Sequence, residues 1–121
     1  MNSRIPEFQV TGDDQQILLE SLDYLTANPI EGVDPRKYFE LKLQAFSIEK
    51  RLKNHSDDLS LNDLRTMYIA LLNLRVDAIE MSYEMKHNQQ IGKRLLISKI
   101  DSLTLRIKNT CQQLGFDVDQ E

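Results

Sequence analysis

Few side chains in this sequence have the type and spacing to do chemistry. Asp77, Glu80 and Glu84 recur at intervals of three and four, which on a helix aligns their carboxylates along one side, a spacing able to hold a divalent cation. His55 precedes Asp57 and Asp58, a second possible ligand group. Cys111 is the one thiol in the chain, and a nucleophilic role would need a base within its reach. Arg65 and Arg75 interrupt an otherwise apolar helical face, as cations lining the pocket of a small helical enzyme would.

Each of these has a plainer reading. A row of acids on a helix is usually a solvated or salt-bridged surface. His55 sits in a polar connection, and His87 in another. Cys111 lies at helical spacing from the apolar Ile107 and Leu114, where a thiol is a small core residue. Arg65 and Arg75 can snorkel from the edge of the face. There is no HxxxH or CxxC pair, and Gly12, Gly32, Gly92 and Gly115 are too scattered for a phosphate-binding loop. The expectation is therefore no catalytic residue, no bound cofactor and no metal ligand set.

The elements that would position these groups are helices. Leu64, Met67, Leu71, Leu74, Ala78, Met81 and Met85 are spaced alternately three and four apart, so they fall on one helical face. Leu61, Tyr68, Leu72, Val76, Ile79 and Tyr83 form a second row beside it, with Asp63, Thr66, Asn73, Asp77, Glu80 and Glu84 on the far side. Ser60, with Asp63 three residues on and Leu59 and Leu64 around it, predicts the start of this third helix. A first helix is predicted over Asp13–Asn28, with Thr11 as cap and Leu18, Leu22 and Leu25 facing inward. A second opens at Asp34-Pro35, with Tyr38, Leu41, Ala45, Ile48 and Leu52 as its seam and Phe39, Leu43 and Phe46 broadening it. A fourth carries Leu96, Ile100, Leu103, Ile107, Cys111 and Leu114 and stops at Gly115.

The polar stretch Lys86–Gly92 predicts a hairpin turn. The alternative is one continuous helix over 62–114 in a coiled-coil dimer. The fold class is all-α, a four-helix antiparallel bundle with a short first helix. Residues 1–10 read as a flexible arm, 11–116 as a single helical domain and 117–121 as an acidic tail.

The chain of 121 residues carries a net charge of −4. Met1–Asp34 holds one base and seven acids, whereas Pro35–Asp58 holds six bases and four acids. The acidic first segment thus has basic partners inside the same chain. That balance opposes a nucleic-acid-binding regulator working through the basic face of the last helix, Lys93, Arg94, Lys99, Arg106 and Lys108, which is one alternative. A small helical enzyme with a pocket around Arg65 and Arg75 is another. No apolar run approaches the length of a membrane span, and the lone cysteine suits a reducing, cytoplasmic setting. The function expected is protein–protein interaction: an adaptor, chaperone or regulator without catalytic activity. Its partner is itself, as a homodimer, or another protein. Membrane and nucleic acid are not expected as partners. The partner-binding residues expected are Met81, Tyr83, Met85, Ile91 and Leu95, where the long helices outreach the shorter ones.

Overall fold

In a computed structural model of the chain, residues 8–54, 58–83 and 87–119 are described. They form four helices and, among the described residues, no strand: α1 (Gly12–Ala27), α2 (Pro35–Lys53), α3 (Leu61–Ser82) and α4 (His87–Gln113). Local chemistry fixes their ends. Thr11 Oγ1 accepts from the Asp14 amide at 3.3 Å, and the Asp14 carboxylate accepts from the Thr11 amide at 3.3 Å. Ser60 and Asp63 make the same reciprocal pair at 3.2 and 2.9 Å. Each box satisfies donors that the first helical turn leaves open. Asp34 caps α2 by accepting from the Arg36 amide at 2.7 Å, and Pro35 supplies the first helical residue.

The end of α4 is equally well defined. Gly115 has φ +77°, the left-handed conformation in which only glycine is unstrained. That geometry lets the Phe116 amide donate to the Cys111 carbonyl at 2.9 Å and the Gly115 amide to Gln112 at 3.0 Å. The two bonds together form a Schellman stop.

One core joins the four helices. Leu18, Leu22 and Leu25 of α1, Ala45, Ile48 and Leu52 of α2, Leu64, Met67, Leu71 and Leu74 of α3, and Ile100, Leu103, Ile107 and Cys111 of α4 are all buried in it. Helix α1 packs on α2 and α3 and touches α4 along a shorter stretch. Helices α3 and α4 share the broadest contact, while α2 and α4 do not meet among the described residues. The far side of α3, between α2 and α4, therefore has no helix over it.

Several expectations change here. The second row of α3 is not an inward row, because Leu72 and Val76 are exposed and only Tyr68 is buried. Phe39, Leu43 and Phe46 do not broaden the seam of α2: Phe39 is 59% exposed and the other two are exposed as well. Leu114 is also exposed. Conversely, Asp63 and Thr66 of the polar side of α3 are buried. A helical period reveals that faces differ, but not which of them its neighbours cover.

The turn is also displaced. His87–Gly92 belongs to α4 and is helical, α3 ends at Ser82, and Lys86 lies outside the described residues. Nor is there one helix over 62–114. Arg75 Nε meets Asp101 Oδ1 at 2.6 Å, whereas a straight helix would hold those residues about 39 Å apart. Gly92 sits inside α4 at a cost of only about 1 kcal/mol relative to alanine, which the helical spacing of Ile91, Leu95 and Leu96 overrides. A Cβ at Gly92 meets nothing within 4 Å. Gly92→Ala is therefore expected to stabilise the fold by up to about 1 kcal/mol, read as a rise in thermal midpoint. A fall would show that the start of α4 is not helical.

Both ends of the described chain are tied down. Phe8, in the segment set apart as a flexible arm, is buried, with the Arg106 guanidinium 5.2 Å from its ring centroid. Val118, in the segment set apart as a tail, is buried too, and Asp119 accepts from the Tyr68 hydroxyl at 2.8 Å and pairs with Lys108 Nζ at 2.9 Å. Neither residue belongs to a periodic run, so neither contact shows in the spacing.

Candidate functional site

Ion pairs orient the faces of α3 and α4. On α4, Arg106 reaches α1: its Nη1 pairs with Asp14 at 2.7 Å, and its Nη2 donates to the Gln9 carbonyl at 2.7 Å. Burial alone would raise the Asp14 carboxyl, but the bonds from Arg106 and Thr11 hold it below the ordinary aspartate value. Asp101 stands about 140° around the helix from Arg106, and it pairs with Arg75 on α3. On α3, Asp77 meets the Tyr24 hydroxyl of α1. Burial first, then Asp77 and Glu80, push that phenol up. Leu72 lies about 140° around α3 from Asp77.

The sides of α3 and α4 turned away from α1 thus carry Leu72, Val76 and Tyr83, at intervals of four and seven, and Ile91, Leu95 and Leu105 on the arc between Asp101 and Arg106. All six are exposed, Tyr83 to 82% and Leu105 to 58%. Ser98, Ser102 and Asn109 complete the α4 side. Between Ala78 and Ile100 the residues whose burial is described are half-buried or exposed, with Leu96 still packed against the core.

Of the five residues expected to bind a partner, Tyr83, Ile91 and Leu95 share this outward surface. Met81 is exposed but follows Asp77 by four residues, which places it on the α1 side of α3. Met85 lies outside the described residues. Leu72 and Val76 were missed because their spacing fits an inward row equally well, and Leu105 because it stands alone between the core positions Leu103 and Ile107. The α2 stripe of Phe39, Leu43 and Phe46 is a second exposed apolar surface on the outer side of that helix.

Other sequence candidates are placed as follows. Arg65 lines a groove of about 530 Å³ between α2 and α3, over a floor that includes Val33, Leu41 and Ile69, with Lys37 and Glu40 at its edge. Arg75 is turned to Asp101, so the two arginines do not share a pocket. Two amides lining the groove are already engaged: Gln44 Nε2 donates to Asp63 at 3.3 Å and Asn73 Nδ2 to the Ile69 carbonyl at 2.8 Å. The groove can hold an apolar group beside the charged Lys37, Glu40 and Arg65.

Cys111 is fully buried, and burial pushes its thiol up, away from the reactive thiolate. Among the described residues no group of three or more His, Cys, Asp or Glu could hold a metal ion. His55, Asp57 and Glu84 lie outside them, and with Glu84 goes the Glu-x-x-His spacing it makes with His87. The bases proposed for nucleic acid are partly spent within the fold: Arg106 on Asp14 and Lys108 on Asp119. Where α3 and α4 meet, Arg75 pairs with Asp101. The pair on that seam has its base on α3 and its acid on α4. Among the described residues no helix is long and apolar enough to cross a membrane. The chain matches no protein-family model, no characterised protein and no solved structure.

Proposed function

We propose that this protein is a non-catalytic protein–protein interaction module of the adaptor, chaperone or regulator kind, and that it binds through the outward face of α3 and α4. The observation that carries the reading is the set of exposed apolar side chains on that face: Leu72, Val76, Tyr83, Ile91, Leu95 and Leu105. Apolar side chains gathered on one surface of a small domain mark a place where another chain excludes water. Scattered singly, they would carry no such meaning.

We take α3 and α4 as antiparallel. Arg75 pairs with Asp101, while Tyr68, earlier on α3, meets Asp119 beyond the end of α4. Leu72 and Val76 are then set beside Leu105 and Ser98 across the Arg75–Asp101 pair, and Tyr83 beside Ile91. A broad, shallow apolar strip of this kind suits a partner's helices laid along it.

Position-specific crosslinking tests the reading. A photoreactive residue at Val76 or Leu105, in cells that make the protein, should give a covalent adduct with a protein chain. The same residue at Gln16, exposed on the outer side of α1, should give none. Absence of adducts at both face positions, or equal yield at Gln16, would overturn the assignment.

A further inference from the structure

We infer that the outer side of α2 is a second docking surface, separate from the α3–α4 face, and that its occupant is an acidic amphipathic helix of another protein. Arg36, Phe39, Leu43, Phe46 and Lys50 follow one another at alternate intervals of three and four, and all five are exposed. At about 100° per residue they fall within about 80° of the helix circumference. That arc lies opposite the buried Ala45, Ile48 and Leu52. Phe39, Leu43 and Phe46 are 59%, 53% and 50% exposed. The result is a straight strip of three apolar side chains with a cation at each end. It runs about 21 Å, close to four helical turns.

Charge decides the occupant. Lys42 and Lys53 stand along one edge of the strip, so this side of α2 carries four bases. Of the two acids in α2, Glu49 is buried against α1 and Glu40 lines the groove toward α3. The partner must therefore bring negative charge to the flanks of an apolar row. The chain's own surfaces do not meet that requirement. A second copy of the strip brings four more bases. The outer side of α1 has acids in Asp13, Glu20 and Asp23, but its other members are Gln16 and Ala27, which cannot pack around two phenyl rings.

Anionic lipid and nucleic acid also carry negative charge, and the shape of the strip favours a helix over both. Phe39, Leu43 and Phe46 form one narrow row, the width of a coiled-coil seam and not of the broad apolar arc that a helix lays into a bilayer. The row stands on a convex surface, unlike the basic groove that tracks a nucleic-acid strand. A helix with its own apolar residues at intervals of three and four packs along such a row. Acids beside that seam come within reach of Arg36 and Lys50 at the ends and of Lys42 and Lys53 at the edge. A contact of about 21 Å along a single helix is small, so the complex is weak and reversible.

The probe is a fluorescent peptide of about three heptads, stapled as a helix, with leucine at positions a and d and glutamate at e and g. Two companions replace every glutamate by lysine, or every leucine by serine. Fluorescence anisotropy is read up to about 1 mM protein, with circular dichroism confirming that each variant is folded. Wild type should bind the first peptide at least about tenfold more tightly than either companion. Raising salt from about 0.05 to about 0.5 M should weaken that binding about tenfold, since exposed charges are then screened. Leu43→Glu should abolish binding, and Leu105→Glu, on the α3–α4 face, should leave it unchanged. Arg36→Glu together with Lys50→Glu makes the strip neutral, and should weaken binding about tenfold and remove most of its salt dependence.

A wild type that does not bind the acidic peptide overturns the inference, as does equal binding of either companion. Binding lost in Leu105→Glu but kept in Leu43→Glu would move the contact to the α3–α4 face and overturn it too. So would tighter binding to phosphatidylcholine vesicles containing about one quarter phosphatidylserine, or to single-stranded DNA of about 20 nucleotides. Crosslinking at Val76 and Leu105 is independent of all these outcomes, because the two surfaces lie on different helices.

Discussion

Asp63→Ala is expected to lower the folding free energy by about 3 kcal/mol at pH 7. The Asp63 side chain works in two places at once. It closes the N-terminal box of α3 through the Ser60 amide at 2.9 Å, and it grips α2 through Arg51, whose Nη1 and Nη2 reach its two oxygens at 2.6 and 2.9 Å. Gln44 of α2 adds a donor at 3.3 Å, and Arg51 also donates to the Asp58 carbonyl at 2.9 Å. The residue is only 4% exposed. Alanine would leave a guanidinium, an amide and a helix N-terminus without their shared acceptor, so the loss exceeds that of an ordinary surface pair. Burial alone would raise the Asp63 carboxyl, but the bonds from Arg51, Ser60 and Gln44 hold it below 3.8. Its contribution is thus complete above that value and disappears as the pH falls through the lower folded one. Urea unfolding of wild type and variant at pH 7 measures the difference, and a loss under about 1 kcal/mol would mean that the clamp is not formed.

A second large effect is expected with the opposite dependence on pH. Glu49 of α2 is 7% exposed and faces α1, where Asp23 is within hydrogen-bonding reach. Its Oε1 is buried with no hydrogen-bond partner, and Lys53 Nζ stands 3.9 Å from Oε2. Burial, then the bond and charge of Asp23, push its carboxyl from 4.5 up to about 7, against the weaker pull of Lys53. The protonated form therefore fits the fold, and it can donate to Asp23. A raised acid stabilises the native state fully below 4.5, and the contribution runs down until it is lost above about 7. At about 1.4 kcal/mol for each tenfold change in proton affinity, the difference is on the order of 3 kcal/mol. Stability measured by urea should fall between pH 4.5 and pH 8, and Glu49→Gln should flatten that slope and exceed wild type at pH 8. Parallel curves for the two proteins would show that Glu49 already ionises freely in the folded state.

Asp63 and Glu49 also show what the sequence could convey about this fold. Asp63 is visible as a capping-box acid because Ser60 lies three residues before it. Its grip on Arg51 is not visible, since nothing in a linear spacing brings residue 51 beside residue 63. Glu49 reads as half of a surface pair with Lys53, and only the arrival of α1 makes it a buried acid. The first row of α3 as far as Ala78, the caps of α1 and α2 and the stop at Gly115 are local signals, and each is found where it was expected, whereas Met81, the next in that row, is exposed. The second row of α3 and the Phe39–Leu43–Phe46 stripe have the same apolar periodicity as core rows. No helix covers them, and coverage is a property of the assembled layers. As for the candidate surface, Tyr83, Ile91 and Leu95 were legible because long helices outreach short ones. Leu72, Val76 and Leu105 were not, because their exposure depends on α2 and α4 standing apart.

The uneven burial along α4 gives that helix two mechanical regimes. From Ile100 to Cys111 its inward side chains are locked in the core, so its amides there open only when the whole domain unfolds. Over 90–99 the side chains are half-buried or exposed, with Leu96 still packed against the core, so that half is held by fewer buried contacts and frays more readily than the rest. A partner that settles on the face must hold this half still, and part of its binding energy is consumed in doing so. Occupancy would therefore register as slowed hydrogen exchange over 90–99 while the clamped half stays unchanged. The lightly packed half of the helix thus reports binding, and the core sets the scale against which the report is read.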